Sequence, residues 1–408
     1  MRLLFQILPN INQETSNIHK AIRCASNVSF PLSSTKPVKP APLWWNNEIA
    51  SLRQAKQQAW HNFKRNRSTT TLIQFKKLNA QFRRKIKDAK LDCFQKFTSS
   101  ISASSDPKKI WADIKTLTGL PSNSQIYSLN TSHGNLLYPQ YIAQEFASHF
   151  SNASSDQTFP PEYIASKRFQ ILQHRITPTT LSPSAKLLEA DISLYELQLA
   201  LSAVKGQTPG IDKISYPIIK HLPRLLLHRL IKHYNNILNT GLYPHAWKTS
   251  AIIPLLKPGK SPCEVNSYRP ISLLPCLGKL TEKIIATRLT WYAHSNQLIH
   301  HNQVAFKKGQ ATTDALLHVD HFISNALSSK NHVSLLSLDF QKAFDRIETP
   351  VVLRQLDKWK IGPKMYNFIK SFLSNRKLSV LISNTRSSIF PLDNGTPQGP
   401  PYQSSCSL

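Results

Sequence analysis

The stretch LLSLDFQKAFDRIE, residues 335–348, decides how this chain is read. With Val333 and Ser334 before it, it opens as VSLLSLDF, an apolar run of the length and composition of a buried strand. The run closes on an acid. Asp339 is thereby expected at the carboxyl end of that strand, where open α/β-type sheets place their chemistry. A carboxylate there is a hard oxygen ligand suited to Mg²⁺, and a pair of such ions can clamp the attacking and departing oxygens of a phosphoryl transfer. Acids after strands more commonly cap or turn the chain, so Asp339 counts only in company. Phe344, five positions on, is either a core residue or a ring set under a bound nucleotide's sugar, where it would exclude a 2′-hydroxyl. Asp345 is read as the cap of the following helix.

Working outward, AIIPLLKPGK (251–260) leads into NSYRPISLLPCLGKLTEKIIATRL (266–289). This reads as strand, loop, strand and then an amphipathic helix through Leu277, Leu280, Ile284, Ile285 and Leu289. Lys257 and Arg269 fall on the loop pair. Two exposed cations there are ordinary, but Arg as a fork and Lys as a point charge would also grip a triphosphate. QVAFKKGQATTDAL (303–316) adds two lysines, a Gly turn and a helix start. DNGTPQG (393–399) is a Gly/Pro-bounded loop that carries Gln398, whose amide can reach a nucleotide or a template base.

Singly these signals are weak; their order and spacing are specific. KGQTPGIDKI (205–214), LLKPGK, YRPISLL, QVAFKKGQATT, LDFQKAFD and NGTPQG together resemble the reverse transcriptases of non-LTR retrotransposons, the LINE and jockey type, over roughly residues 190–399. The resemblance implies an RNA-directed DNA polymerase with an α+β fold: right-hand fingers and partial palm, preceded by a basic α-helical region. It implies Mg²⁺ as cofactor, with an RNA template, a DNA primer and deoxynucleotide triphosphates as partners. Asp339 would bind catalytic Mg²⁺, Phe344 would gate the sugar, Lys257 and Arg269 would hold the triphosphate, and Gln398 and Gly399 would border nucleotide and template. The chain departs from the family at Ala305 and Lys307, where a glycine and an arginine are usual. It also contains no Tyr-x-Asp-Asp, the second carboxylate strand of the family. The expectation is a chain truncated at both ends, inactive alone because one carboxylate cannot assemble a two-metal site. The tail PPYQSSCSL, shifted by one base, can encode an apolar run like the family's, so a frameshift near Gly399 is expected; coding DNA without a Tyr-Ala-Asp-Asp segment in that frame would refute it. The alternative is a non-catalytic, basic nucleic-acid-binding remnant.

Composition agrees with a polyanionic partner. The 408 residues carry 51 Lys and Arg against 22 Asp and Glu, a net charge of +29. Thirteen of those cations, against three acids, fall between residues 42 and 98, where Phe75, Leu78, Phe82, Ile86, Ala89, Cys93 and Phe97 form one stripe at helical spacing. The expected divisions are an irregular segment at 1–42, the basic helical segment at 43–120, a Ser/Thr/Asn/Pro-rich linker with patches of helix at 121–185 and the polymerase-like region at 186–408. Ser193-x-x-Glu196 marks a helix start by its capping-box pattern. The five cysteines are too sparse for a disulfide framework, and no apolar run is long enough to span a membrane. An intracellular, reducing compartment fits these features and is the expectation; nucleus and cytoplasm are implied by the resemblance.

Overall fold

The computed structural model describes residues 10–30, 42–102, 110, 114, 126–132, 134–173, 180–204, 208–307, 309–340 and 342–397. The chain divides into two compact units, residues 32–125 and the remainder. Among the described residues no helix is long and apolar enough to cross a membrane.

Residues 1–42 were expected to be irregular, yet they include helix α1 (Ile11–Ser29). Asn10 caps it, its side chain accepting from the Asn12 N–H at 3.0 Å. Ile11, Thr15, Ile18 and Ile22 are buried at three- and four-residue spacing. Asn, Gln and Ser between them dilute the stripe and conceal it from a reading by hydropathy.

The smaller unit is a helical hairpin of α2 (Asn47–Arg65) and α3 (Thr69–Ser99). Asn46 and Ser68 cap the two helices, accepting from Ile49 and Thr71 N–H at 2.9 and 3.3 Å. The stripe from Phe75 to Phe97 is half-buried, and Trp60 meets Phe75 with ring centroids 4.9 Å apart. Lys76, Lys77, Arg83, Arg84 and Lys87 are exposed on other faces of α3, which buries no residue fully.

In the larger unit the segment expected as a linker with patches of helix holds, in its described residues, both helices and a hairpin. It holds a hairpin of β1 (Leu129–Thr131) and β2 (Gly134–Leu136), then α4 (Pro139–Ala153) and α5 (Pro161–Gln173). Ile142, Ala143, Phe146, Ala147 and Phe150 line the buried face of α4. Polar and Pro-rich flanks hid a helix that tertiary burial stabilises. Next come α6 (Pro183–Leu188), α7 (Leu194–Ser202), α8 (Tyr216–Lys220) and α9 (Arg224–Thr240). The predicted capping box is present: Glu196 N–H donates to Ser193 Oγ at 3.2 Å, and Ser193 N–H donates to Glu196 Oε2 at 2.9 Å.

The sheet is β3 (Thr249–Leu256), β4 (Tyr268–Leu273), β5 (Arg376–Ile382), β6 (Thr385–Arg386) and β7 (Phe390–Leu392). Central β3 pairs antiparallel with β4 and parallel with β5, which also pairs with β6 and β7. Pro254 stands opposite Pro270. Neither can donate to the ladder, and Lys257 N–H donating to the Ser267 carbonyl at 2.8 Å sets a register in which both occupy non-hydrogen-bonded positions. α4 covers the sheet through Phe146, Phe150, Tyr268, Leu378 and Val380. A second, helical core around Trp247 and Tyr234 draws on α1, α7, α9, α10 (Cys276–Ser295), α12 (Thr349–Lys358) and α13 (Pro363–Leu373). Helix α11 (Thr312–Ser328) buries no residue. The fold class is α+β, as expected.

The run that was read as a buried strand is the main correction. Residues 331–340 have no regular secondary structure, and Leu335, Leu336, Leu338 and Phe340 are 72–80% exposed. A strand apolar on both faces needs ladder partners and cover on both sides. No described strand pairs with it.

Candidate functional site

Three of the quoted motifs meet at one place. After the exposed run the chain turns at Lys342, whose φ is +55°, and Asp345 N–H donates to the Lys342 carbonyl at 2.9 Å. Against this turn lies the loop 393–397. Gly395 N–H donates to the Ile347 carbonyl at 2.9 Å, and Thr396 N–H to the Phe344 carbonyl at 3.0 Å. A Cβ on Gly395 would lie 2.7 Å from the Phe344 oxygen and 2.8 Å from that of Asp345, and its φ is +85°. Only glycine lets the two backbones approach so closely.

A buried polar network anchors the loop from below. Asn394 donates through Nδ2 to the Ser154 carbonyl at 2.9 Å and to Asp156 Oδ1 at 2.6 Å, and accepts from Lys167 Nζ. Lys167, 4% exposed, also pairs with Asp156. Ser154, Asp156 and Lys167 come from α5 and the segment just after α4, within the stretch expected as a linker with patches of helix, and the sequence reading singled out none of them. The one available signal was YIAQEF, whose Ile142 and Phe146 repeat at helical spacing.

Phe344 is 40% exposed and lines an apolar cavity of about 370 Å³ with Phe306, Thr396, Ile285, Phe368 and Trp359. Phe306 belongs to QVAFKKG, so that motif converges here too. Lys307 Nζ donates to the His300 and His301 carbonyls at 2.9 and 3.1 Å, within its own turn.

Lys257 and Arg269 sit on one hairpin. Arg269 faces Leu255 across the ladder and Lys257 follows two residues on, so both share the face on which Ile253 and Leu255 are 39% and 53% exposed. Lys257 Nζ donates to the Asn266 carbonyl at 2.8 Å. Burial pushes the His149 imidazole below its ordinary pKa, and the charges of Lys342 and then Lys257 push it further. These two lysines, from separate motifs, therefore act on one histidine of α4.

Asp339 is not drawn into this convergence as a metal ligand would be. It is exposed, and among the described residues no group of three or more His, Cys, Asp or Glu is placed to hold a metal ion. The described donor set does not fit a two-metal site. Gln398 and Gly399 lie outside the described residues.

Residues 255–404 match the family model for reverse transcriptase (RNA-dependent DNA polymerase). That region is similar to the reverse transcriptases of jockey-like non-LTR retrotransposons. It is 35% identical over 256 residues to the RNA-directed DNA polymerase from mobile element jockey of Drosophila funebris, covering 62% of this chain and 27% of that protein. The corresponding Drosophila melanogaster protein is 34% identical over 244 residues, 56% of this chain and 26% of its own. The retrovirus-related Pol polyprotein from type-1 retrotransposable element R1 of Bradysia coprophila is 24% identical over 363 residues, 87% of this chain. The chain spans about a quarter to a third of the length of these relatives.

Proposed function

We propose that this chain is the fingers and part of the palm of a non-LTR retrotransposon reverse transcriptase, and that alone it binds nucleic acid without extending a primer. The observation that carries the reading is the convergence of the LDFQKAFD turn, the NGTP loop and Phe306, in a region that matches the reverse transcriptase family. Lys257 and Arg269, on one exposed hairpin face, are the residues that would contact a triphosphate. Phe344 would gate the sugar. Asp339 would ligate Mg²⁺ only beside further carboxylates, because two ions must be shared among several oxygen ligands. An RNA template, DNA primer and deoxynucleotides are the partners that the family implies.

Primer extension by the full chain, with Mg²⁺, RNA template and deoxynucleotides, tests this. No product is expected; robust extension would overturn the assignment of inactivity. The surplus of ten positive charges between residues 42 and 98 supports a second reading, a basic nucleic-acid binder without catalytic duty. RNA binding that is lost steeply between about 50 and 200 mM salt is expected under both readings, while extension separates them.

A further inference from the structure

The charges of the α2–α3 hairpin are sorted by face, which a merely solvated helix surface does not require. On α3, Lys76, Arg83, Lys87 and Lys90 follow one another at seven, four and three residues, and Phe94 comes four further on, so the five share one face of the helix. All five are exposed. From Lys76 to Phe94 the row is about 27 Å long at the rise of an α-helix.

Lys85, Asp88 and Asp92 repeat at three and four residues on the opposite flank, where Lys85 pairs with Glu48 of α2 at 2.7 Å. The three acids between residues 42 and 98 are therefore all drawn away from the row. Among the described residues none of Lys76, Arg83, Lys87 and Lys90 forms an ion pair.

Aromatic rings stand among these cations. Lys90 Nζ lies 5.0 Å from the centroid of the half-buried Trp44 ring, and Trp45 stands beside that ring with centroids 5.8 Å apart. Phe94 and Leu91, three residues apart and 52% and 54% exposed, add an apolar spot at the end of the row. A phenyl ring so placed contributes little to the packing of its own hairpin and leaves apolar surface in water.

A row of cations selects a polyanion, and the rings select among polyanions. In a duplex the flat faces of the bases lie against one another and are closed to a side chain. In a single strand they are open, and every base offers one to an aromatic ring. We propose that this face of the α2–α3 hairpin is a site for single-stranded nucleic acid: Lys76, Arg83 and Lys87 hold phosphates, one base stacks on Phe94, and a second stacks on Trp44 as Lys90 moves from that ring to a phosphate. A cation over an exposed ring is held weakly, so the exchange costs little. The proposal rests on the nucleic-acid-binding half of the reading above and adds to it the surface, the residues and the strandedness.

Binding of the full chain is measured by fluorescence anisotropy with labelled oligocytidylates of about twelve nucleotides, one RNA and one DNA, and with an RNA duplex of the same length, since such sites take roughly 4–16 nucleotides. Phe94→Gln should weaken both strands about tenfold more than it weakens the duplex, the worth of one stacked base. Trp44→Leu should do the same, and the quenching of tryptophan fluorescence by a bound strand should shrink with it. Lys87→Gln should lower the salt slope for a single strand by about 0.7, one phosphate contact. Equal losses for RNA and DNA assign the site to the bases and phosphates common to both; a loss confined to RNA assigns it to RNA strands. Thermal melts establish that the variants fold; should Trp44→Leu not fold, Phe94→Gln decides alone, because its ring is half exposed. Strand binding indifferent to Phe94→Gln, or a duplex weakened as much as the strands, would overturn the proposal and leave the broader nucleic-acid reading standing. A wild-type chain that binds no nucleic acid would sink both.

Discussion

Individual residues in this chain carry consequences that their types alone do not announce. Lys248 is 5% exposed beside Arg376, and burial followed by that like charge lowers its pKa to about 8. The unfolded chain keeps this proton up to about pH 10.4, so between the two values the unfolded state binds more protons. Stability is therefore expected to rise as pH passes from about 8 towards 10, and Lys248→Met should remove that rise while stabilising the chain by about 1–2 kcal/mol at pH 7. Denaturant melts across this range measure it. Gly395 gives the opposite sign. Gly395→Val forces a Cβ onto two carbonyl oxygens at positive φ, and a loss of about 2–4 kcal/mol is expected, read from the same melts. The glycine was visible in the sequence as part of a loop; the backbone that crowds it was not.

At the scale of elements, two segments of similar apolar content have opposite fates. The helix α4 buries Phe146 completely between β4 and β5 residues, and Phe146→Ala is expected to cost about 3–5 kcal/mol. In contrast, Leu336 in the run 331–340 is 80% exposed. Leu336→Lys should change stability by no more than about 0.5 kcal/mol, and backbone amides of residues 333–340 should exchange faster than those of β3. Protection of that segment equal to β3 would contradict the arrangement described. Propensity and hydropathy rank these two segments the wrong way round, because a strand is stabilised by its neighbours while an amphipathic helix needs only one covered face.

For the molecule as a whole, charge dominates. A net +29 predicts association with polyanions whose strength falls roughly a thousandfold or more between about 50 and 200 mM salt if six or more phosphates are engaged. Replacing Arg83, Arg84 and Lys87 with Gln should flatten that salt slope by about two to three units while leaving helicity intact, since all three are exposed on α3. Electrophoretic or anisotropy titrations give the slope. Sequence by itself determined the resemblance to reverse transcriptases, the α+β class, the charge, the α3 stripe and the capping box at Ser193, because each rests on residue identity and short-range spacing. Only the tertiary structure decided that α1 and the helices α4 and α5 pack into the fold, that the NGTP loop seats on the Phe344 turn, and that the Asp212 side chain is buried with one oxygen lacking a hydrogen-bond partner among the described residues. Those facts depend on which surfaces meet across hundreds of residues. So does the state of the run that opens LLSLDFQKAFDRIE: its composition is that of a buried strand, yet with no described strand paired to it, Leu335, Leu336, Leu338 and Phe340 stay exposed.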